Sequence, residues 1–336
     1  MLRIGILGTA NIARSFVRGV QPSPRLAITA VASRDARKAE TFAKDSGIPR
    51  HFGSYEAMLA DREVDAVYNP LPNSLHAEWS IAAVRAGKHV LCEKPLAASA
   101  VEARAMFAAA RTHGVHLVEA YPYLAQPQTR KMRELLMDNA IGEVRLIQAS
   151  FGFTLNDSGN IRLNPQLAGG SLMDVGVYPL SLIRIIAGQR AARVQALAHW
   201  TGGDPGSSVD SAMAATLSFD NGLFAQLTCS FGSALHRQAL IVGSAGVIQT
   251  TYRNHTSAEL PGTLNLRTGS GPQAVDGAIE TPPINGFLAE AESFEHMVRE
   301  GAAHWTGATP QESIDIMMTL EALLRSARSG AAEPVA

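Results

Sequence analysis

The sequence has little cysteine and almost no net charge. Its 336 residues include two cysteines, and the formal net charge is −1. Cys92 and Cys229 each lie in an apolar stretch, so we expect buried free thiols rather than a disulfide. A near-neutral chain gives no electrostatic reason to expect nucleic acid or an anionic membrane as a partner.

Long apolar runs and a leader sequence are also lacking. No continuous apolar run approaches the roughly 20 residues that span a bilayer. The segment Met1–Gly8 enters a strand-like pattern without the basic head and cleavage site of a signal peptide. With 46% hydrophobic and 18% charged residues, the composition is typical of a soluble globular protein. We therefore expect a cytoplasmic enzyme or binding protein, and the length favours two domains.

Short apolar runs alternate with amphipathic stretches in the first third of the chain. The runs predict strands over 3–7, 27–32, 64–69, 89–92 and 115–119. The stretches between them predict helices over 12–20, 36–46, 76–85 and 100–112. Strands rich in Val, Ile and Leu that alternate with helices are typical of a parallel sheet covered on both faces. We predict an α/β Rossmann domain, binding NAD(P), over residues 1–121.

The pattern changes after about residue 122, where strand-like runs follow one another. Strands are predicted over 144–153, 194–200, 211–219, 223–231, 238–243 and 247–252, and helices near 131–138, 175–187, 289–299 and 311–328. Asp220-Asn221-Gly222 predicts a hairpin turn, and loops are predicted over 156–170 and 263–283. Such runs of strands are typical of an α+β domain. We predict a substrate-binding and dimerisation domain with a large, mainly antiparallel open sheet over 122–336.

The segment after the first strand predicts a dinucleotide-binding turn. Such a turn needs small residues where the backbone meets the pyrophosphate and where the helix packs on the strand. Gly8, Ala10 and Ala13 occupy those places. The phosphates would then face the backbone amides at the start of the helix, namely those of Thr9, Asn11 and Ile12. The alternative is an ordinary tight turn after a strand.

The end of the second strand indicates NADP rather than NAD. An NAD site usually places a carboxylate there, on the ribose hydroxyls. This sequence instead has Ser33 and Arg34, a hydroxyl and a guanidinium that suit a 2′-phosphate. Asp35 stands one residue later and is predicted to cap the following helix. The alternative for Arg34 is a solvated surface side chain.

Two further strand ends carry candidate cofactor-binding residues. The third predicted strand, 64–69, runs into Pro70 and Leu71, and Asn73 and His76 bracket the start of the next helix. Their polar groups are candidates for contact with the cofactor, with Asn73 as a simple helix N-cap the alternative. The run 88–92 is followed directly by Glu93-Lys94-Pro95. This position places an ionisable lysine in the crevice where open parallel sheets bind ligands.

A second group of reactive residues lies in the glycine-rich segment 169–180. Asp174 and Tyr178 are four residues apart, so on a helix they share one face. A carboxylate and a phenol in one cleft can bind a polyol and move its proton, as hydride transfer from a carbinol requires. Tyrosine is a weak base at neutral pH, and a nearby ammonium such as Lys94 would favour its charged form. The alternative is a capped helix with one buried tyrosine.

Together these segments resemble the Gfo/Idh/MocA oxidoreductase family over nearly the whole chain. The resemblance is carried by 8–13, 72–76, Glu93-Lys94-Pro95 and 169–178. Many members have histidine where this chain has Tyr178. Tyrosine there, with the segment 160–163, is similar to the subgroup of NADP-dependent D-xylose dehydrogenases, dimeric dihydrodiol dehydrogenases and glucose–fructose oxidoreductase. The departures are alanine at 10 and 13, and Gln126 where relatives often have histidine.

The resemblance implies a fold, a cofactor site and catalytic roles. It implies a Rossmann domain and an α/β domain whose open sheet often forms a dimer interface, with Lys94 beside the nicotinamide and the substrate. It further implies that Tyr178 accepts the proton, that Lys94 tunes it, and that Asp174 and Arg162 orient the substrate. It implies a substrate pocket lined by Tyr121, Tyr123, Phe151 and Phe153, with core packing the alternative for each.

The leading hypothesis is an NADP-dependent oxidoreductase acting on a sugar or related cyclic polyol, at C1 of an aldose or in the reverse reduction. We expect a homodimer or higher homo-oligomer, no bound metal, and no nucleic-acid or membrane partner. One alternative is a trans-dihydrodiol dehydrogenase, whose substrate is flatter and more apolar. Another is a non-catalytic, dinucleotide-sensing regulatory protein of the same fold.

Overall fold

The structure, a computed structural model, describes residues 1–253, 260–269 and 271–336. These residues form two compact units. The first unit comprises Met1–Ala125 and Asn285–Pro310, and the second comprises Gln126–Ile284 and Gln311–Ala336. The second unit is therefore not the continuous stretch 122–336 that the sequence suggested.

Strands and helices alternate in the first part of the chain. The strands are β1 (Leu2–Leu7), β2 (Leu26–Ala32), β3 (Arg50–Phe52), β4 (Ala66–Asn69), β5 (His89–Glu93) and β6 (Leu117–Ala120). The helices are α1 (Asn11–Val20), α2 (Ala36–Ser46), α3 (Tyr55–Leu59), α4 (His76–Arg85) and α5 (Ala100–His113). Every strand and helix predicted in this part is present. The sequence did not predict β3 and α3, because three and five residues are too short to show a periodic pattern.

The six strands of the first unit's sheet, as described, run parallel in the order β3-β2-β1-β4-β5-β6. The strand order reverses between β1 and β4, which creates the crevice where such sheets bind ligands. Capping side chains fix the helix starts: Asp35 Oδ1 accepts hydrogen bonds from the Arg37 and Lys38 amides at 3.0 and 3.2 Å. The predicted cap at Asp35 is therefore confirmed.

The later part of the chain is richer in strands. The strands are β7 (Val144–Thr154), β8 (Arg193–Trp200), β9 (Asp210–Ser218), β10 (Phe224–Ser230), β11 (Gly232–Gly243), β12 (Gly246–Thr250), β13 (Gly262–Thr268), β14 (Val275–Thr281) and β15 (Glu333–Pro334). The helices are α6 (Pro127–Met137), α7 (Val177–Ala187), α8 (Gly286–Glu300) and α9 (Pro310–Ser329). Within the described residues, the strands form a nine-stranded sheet in the order β14-β13-β12-β11-β7-β10-β9-β8-β15.

This second sheet is mixed but mainly antiparallel. β7 and β10 pair in parallel, and the other neighbouring strands pair antiparallel. The predicted hairpin turn joins β9 to β10, with Gly222 at a φ of +83°. A parallel Rossmann sheet and a large, mainly antiparallel sheet confirm the predicted fold class.

The loop predicted over 263–283 is wrong. β13 and β14 form an antiparallel hairpin there, from Gly262 opposite Thr281 to Thr268 opposite Val275. β14 lies at the sheet edge and most of its residues are exposed. An edge strand exposed on both faces needs no apolar alternation, so its sequence reads as a loop. Ser270, within that prediction, lies outside the described residues.

Helix α8 belongs to the first unit although it is far away in sequence. It packs against α1 and β2, and its apolar side chains join the buried cluster around β1 and β4: Phe287, Ala291, Phe294 and Met297. Each of these is no more than 3% exposed. Their three- and four-residue spacing gives the helix one inward face, so this packing requires the chain to return to the first unit.

Helix α7 is part of the second unit's core. The stretch Pro165–Ala187 is apolar enough to cross a membrane by length and composition. An 18-residue window within it has a mean hydropathy of 1.3, but 72% of that window is buried. A buried core helix accounts for that composition. The Arg184 guanidinium donates to the Asp315 carboxylate at 2.8–2.9 Å, and both side chains are nearly buried. This ion pair fixes α7 against α9.

Candidate active site

The predicted cofactor residues of the first unit lie at one edge of its sheet. Gly8 follows β1, Ser33 and Arg34 follow β2, Pro70 follows β4, and Lys94 follows β5. The carboxyl ends of parallel strands meet at one sheet edge. The topology therefore brings together residues that are up to 86 positions apart in the sequence (94 minus 8).

The turn after β1 has the shape that a dinucleotide phosphate needs. Gly8 has a φ of +87°, and a Cβ there would lie 2.9 Å from the Leu71 side chain. At the next helix, Ala10 is the N-cap of α1 and supplies no side-chain hydrogen bond to it. The first amides and the positive end of the helix dipole are therefore suited to an anion. Thr9 is half-buried and Asn11 is exposed.

For Ile12 the prediction concerns the backbone amide. Its side chain packs against the buried core cluster of the first unit. Only its backbone amide can therefore serve a phosphate. Leu71 is also buried, where it closes the space above Gly8, and Pro70 is buried beside it in the chain.

Arg34 is exposed at the end of β2 and has a partner that sequence reasoning missed. Its guanidinium donates a hydrogen bond to the Tyr55 hydroxyl, and Tyr55 packs edge-on against Trp79 at 4.7 Å between ring centroids. Burial raises the pKa of Tyr55, and the positive charge of Arg34 opposes that rise. Ser33 is buried, and its hydroxyl accepts from the Asp35 amide at 3.2 Å. The hydrogen bond to Tyr55 orients the Arg34 guanidinium, which has further N–H donors that suit an anion.

His76 lies below the cofactor edge rather than on it. Its Nδ1 is 2.8 Å from the Pro95 carbonyl oxygen and its Nε2 is 2.7 Å from that of Leu71. Burial, with a smaller contribution from the charge of Lys94, lowers the pKa of His76 to about 4. The neutral ring donates to one carbonyl at a time, and both ring nitrogens are enclosed by protein. The predicted contact between His76 and the cofactor is therefore replaced by a link between two loops.

Asn73 begins a short 3₁₀ turn, Asn73–Leu75, that leads into α4. The N-cap position of α4 is Leu75, whose side chain makes no capping hydrogen bond. Helix capping stays the alternative role for Asn73. The half-buried Asn73 side chain stays a predicted cofactor-binding residue.

Glu93 occupies a buried network beneath Lys94. The Tyr68 hydroxyl donates to Glu93 Oε1 at 2.5 Å, and the Tyr68 ring stacks on Phe16 at 3.9 Å. After the cis peptide between Lys94 and Pro95, the Leu96 amide donates to the Glu119 carboxylate at 2.9 Å. Glu93 thus anchors the start of the loop that carries Lys94, and its carboxylate faces the protein interior.

A second carboxyl group lies in this interior. Burial, and the nearby charge of Glu93, raise the pKa of Glu290 well above its ordinary value. Tyr121 and Tyr123 are completely buried, with ring centroids 6.2 Å apart. They lie in and beside the short turn Pro122–Ala125, which packs against α8. This burial favours the core-packing alternative for both tyrosines over the predicted pocket role.

In the second unit, a buried carboxylate fixes the segment that carries Asp174 and Tyr178. Asp210 is 1% exposed and accepts from the Ser171 hydroxyl and the Leu172 amide at 2.5 and 2.7 Å. Gly170 has a φ of +116°, and a Cβ there would collide with the Asp210 carboxylate. Residues 172–176 then form a π-helical turn that runs into α7. Such turns occur frequently at functional sites.

Asp174 is held by a close ion pair. Arg162 Nε donates to Asp174 Oδ2 at 2.6 Å, and Arg162 also contacts Asn160 through its backbone amide at 3.1 Å. The Arg162 side chain is 42% exposed and that of Asp174 is 13% exposed. The structure therefore brings these two predicted substrate residues together from the loop and the π turn. Carboxylate acceptors and guanidinium donors beside each other suit the hydroxyl groups of a polyol.

Tyr178 lies among aromatic rings and a cation. Its ring centroid is 5.5 Å from that of Phe151. Arg237 places its guanidinium 4.0 Å from the Phe151 centroid and 5.4 Å from the Tyr178 centroid, within the range of cation–π attraction. Sequence reasoning missed Arg237. The pairing of β11 with β7 sets Arg237 opposite Phe151, and the sequence alone does not show this pairing.

Phe153 lies two residues beyond Phe151 on β7 and therefore on the same face. It is half-buried and packs edge-on against Phe231 at 5.5 Å. The two phenylalanines and Tyr178 form an aromatic wall in the second unit.

Comparison with known proteins identifies the family. Residues 2–121 match the oxidoreductase family with an NAD-binding Rossmann fold, and residues 129–249 match the GFO/IDH/MocA C-terminal domain. The chain belongs to the Gfo/Idh/MocA oxidoreductase family. The resemblance drawn from 8–13, 93–95 and 169–178 is thereby confirmed, and the chain is an oxidoreductase.

Similar Gfo/Idh/MocA proteins act on sugars and diols. A D-xylose 1-dehydrogenase (NADP⁺) of Haloferax volcanii is 38% identical over 98% of this chain and 99% of its own. A trans-1,2-dihydrobenzene-1,2-diol dehydrogenase of Mus musculus is 36% identical over 74% of each chain. A 3-ketoreductase from Actinomadura kijaniata, solved with NADP and TDP-benzene, has a TM-score of 0.87 at 31% identity, covering 97% of this chain and 98% of its own.

The interior below Lys94 gives a stability prediction. Because the pKa of Glu290 is raised in the folded chain, the folded state keeps a proton that the unfolded chain releases above about pH 4.3. Stability is therefore lost as the pH rises from that value toward the raised pKa. Glu290→Gln cannot ionise, so the variant's melting temperature minus that of the wild type should increase as the pH rises above about 4.

The measurement is thermal unfolding across pH 4 to 9. Whatever offset the amide introduces, the sign of the pH dependence identifies the ionisation. Glu292→Gln, on the same helix but half-buried, controls for removal of a carboxylate from α8. A melting-temperature difference for Glu290→Gln that stays constant with pH would refute the raised pKa.

Proposed function

We propose that this oxidoreductase uses NADP to interconvert the C1 hydroxyl of an aldose, or the hydroxyl of a related cyclic polyol, with the corresponding carbonyl. The observation that supports this most directly is the ion pair between Arg162 and Asp174, at 2.6 Å. Asp174 lies four residues before Tyr178. It offers donors and acceptors for ring hydroxyls in the same segment as a phenol that can move a proton.

The chemistry separates into a proton and a hydride. NADP held at Gly8 and Arg34 would supply a nicotinamide as the acceptor for the hydride that leaves C1. Tyr178 takes the proton of the C1 hydroxyl at its Oη, so that the C1–O bond becomes a carbonyl and an aldose becomes a lactone. We assign Lys94 to the reacting oxygen, because an ammonium beside a phenol favours the charged form of that phenol. Asp174 accepts from neighbouring sugar hydroxyls, while Arg162 holds Asp174 and donates to the substrate.

A cyclic diol is the second candidate substrate. The aromatic wall formed by Phe151, Phe153 and Tyr178 presents ring faces that suit a flat, apolar carbocycle as well as the apolar face of a pyranose. The mouse relative is named a trans-dihydrodiol dehydrogenase. The exposed Arg162–Asp174 pair favours the more polar substrate, because a flat diol leaves these groups with fewer partners.

We predict that Tyr178→Phe lowers kcat for the true substrate by about 10²- to 10⁴-fold, the range that general acid–base groups contribute. The Michaelis constant should change less, because the ring that binds the substrate is retained. Lys94→Met should lower kcat in the same way. The measurement is the absorbance of reduced nicotinamide, first across a panel of aldoses, cyclic polyols and trans-diols, then in steady-state kinetics with the best substrate.

The matched controls make the same type of substitution at residues that have no role in the proposed chemistry. Tyr252→Phe removes a buried hydroxyl that donates to the Ser150 carbonyl at 2.8 Å, and Lys131→Met removes an exposed ammonium paired with Glu134. Both controls should retain turnover. Full kcat in Tyr178→Phe would contradict the assignment of the proton to Tyr178. Turnover of trans-diols but not of sugars would select the second candidate.

The preference for NADP rests on Arg34. It is exposed at the end of β2, where this chain has no carboxylate on the strand end, and Tyr55 holds it from one side. Asp35 accepts from the amides at the start of α2. Its carboxylate is therefore engaged with the helix. This leaves a guanidinium as the side chain that meets the 2′ position.

We expect Arg34→Ala to raise the Michaelis constant for NADP roughly tenfold to a hundredfold, the value of a charge-assisted hydrogen bond. The constant for NAD should change little, because NAD lacks the 2′-phosphate. Tyr55→Phe should shift the preference in the same direction by less. Arg111→Ala, which removes an exposed arginine of α5, is the control. A wild type that prefers NAD would overturn this proposal.

We further propose that the chain forms a homodimer or a higher homo-oligomer through the open face of the second sheet. Paired residues place Leu197, Ala214 and Thr228 on one face. Phe224 lies on the same face through Ser218, and Leu197 and Phe224 are 74% and 53% exposed. Exposed apolar side chains on a sheet face are typical of an interface.

Light scattering should give a mass of twice the 35.7 kDa of one chain, or a higher multiple. Phe224→Glu should shift the mass toward the monomer, since a buried unpaired charge disfavours association. Val101→Glu, at a comparably exposed apolar residue of α5, should leave the mass unchanged. A monomeric wild type at micromolar concentration would contradict the proposal.

A further inference from the structure

Two histidines and a glutamate converge at the carboxyl end of α8. The ligand atoms of His296, Glu300 and His304 all lie within 4.8 Å of one another. His296 Nε2 is 3.2 Å and His304 Nε2 is 3.9 Å from the same oxygen, Glu300 Oε2. All three side chains are accessible, at 36%, 58% and 39% exposed. None of them belongs to the proposed active site.

The local fold holds these side chains in place. His296 and Glu300 are four residues apart on α8, on a face directed away from the buried Phe294. The chain then reverses at Gly301, whose φ of +104° favours glycine. This reversal returns His304 to the helix surface, in a 3₁₀ turn formed by residues 302–304.

Hydrogen bonds fix the returning segment. Ser293 Oγ donates to the His304 carbonyl at 3.2 Å and accepts from the Thr306 amide at 3.0 Å. The next side chain, Trp305, packs edge-on against Phe294 and donates to the Ala308 carbonyl at 2.8 Å. The backbone on both sides of the cluster is therefore anchored, and little ordering remains to be done when a ligand binds.

A proton explains only part of this geometry. It can bridge His296 and Glu300 at 3.2 Å, but the 3.9 Å separation between His304 and Glu300 exceeds a hydrogen bond. The imidazole rings also lie face to face, with centroids 4.0 Å apart and an angle of 36°, so two charged rings would repel. By contrast, bonds of about 2.0–2.2 Å place two ligands of a tetrahedral zinc ion roughly 3.3 Å apart. The 3.2 Å separation already matches this value, and the 3.9 Å separation needs only a small side-chain movement to reach it.

We propose that His296, Glu300 and His304 form a binding site for a divalent transition-metal ion, with zinc as its reference ligand. Two imidazole nitrogens and a carboxylate are a recognised zinc donor set, and a water molecule completes the tetrahedron. Imidazole-rich sites also take nickel and copper. The site lies at the negative end of the α8 dipole, which favours a cation. It does not participate in hydride or proton transfer.

The test is calorimetric titration of the chelator-treated full chain with zinc chloride. The wild type should bind one zinc ion per chain, and zinc should raise its melting temperature reversibly. His296→Gln/His304→Gln should weaken that binding by about a hundredfold or more, because a structural zinc ion derives its affinity from its few ligands. Glu300→Gln should weaken it as well. Cobalt chloride should give visible bands of four-coordinate cobalt in the wild type alone.

The controls separate the cluster from exposed histidine in general. His113→Gln, at the exposed carboxyl end of α5, should keep the wild-type zinc affinity. All the accessible positions tolerate a neutral amide, and a melting curve without metal checks that each variant is folded. Equal zinc binding by the wild type and the double variant, or no binding by either, would overturn the proposal. Turnover with added zinc should match turnover with chelator.

Discussion

The buried Asp210 carboxylate determines how the second unit presents its reactive side chains. It accepts from Ser171 and Leu172 at 2.5 and 2.7 Å, so the chain must enter the π turn at that point. Burial raises the pKa of Asp210, and these hydrogen bonds oppose the rise. Only glycine fits at 170, because a Cβ would meet that carboxylate. The position of Asp174 beside Arg162 and the start of α7 follow from this one contact.

The first unit fixes Lys94 by different means. Glu93, at the end of the strand before Lys94, accepts a hydrogen bond from the Tyr68 hydroxyl. His76 links the loop that carries Lys94 to the neighbouring loop through the carbonyl oxygens of Pro95 and Leu71. Burial keeps His76 uncharged at physiological pH, so this link does not switch near neutrality. Both arrangements place buried polar groups next to a segment that carries reactive side chains. Side chains locked in this way let a site keep its geometry.

The sequence predicted elements whose own residues carry a pattern. Strands such as β5 and helices such as α4 have the apolar run or the amphipathic spacing that their environment requires. β14 lacks that pattern because it lies at the exposed edge of its sheet. Other features depend on partners that are distant in sequence: Arg237 reaches Tyr178 through β7–β11 pairing, and Tyr55 reaches Arg34. The roles of these side chains follow only from the tertiary structure.

Two arginine–aspartate ion pairs, one before α7 and one formed by α7 itself, differ in what they can contribute to the stability of the fold. Arg184 and Asp315 are 11% and 7% exposed, and breaking such a buried pair costs about 3–5 kcal/mol, so folding alone explains it. Arg162 is 42% exposed and Asp174 is 13% exposed, and solvent at the guanidinium weakens such a pair relative to a buried one. Stability is therefore a weak reason for holding Asp174 so closely. A ligand that approaches from solvent, and exchanges its hydroxyl groups with this pair, explains the arrangement better.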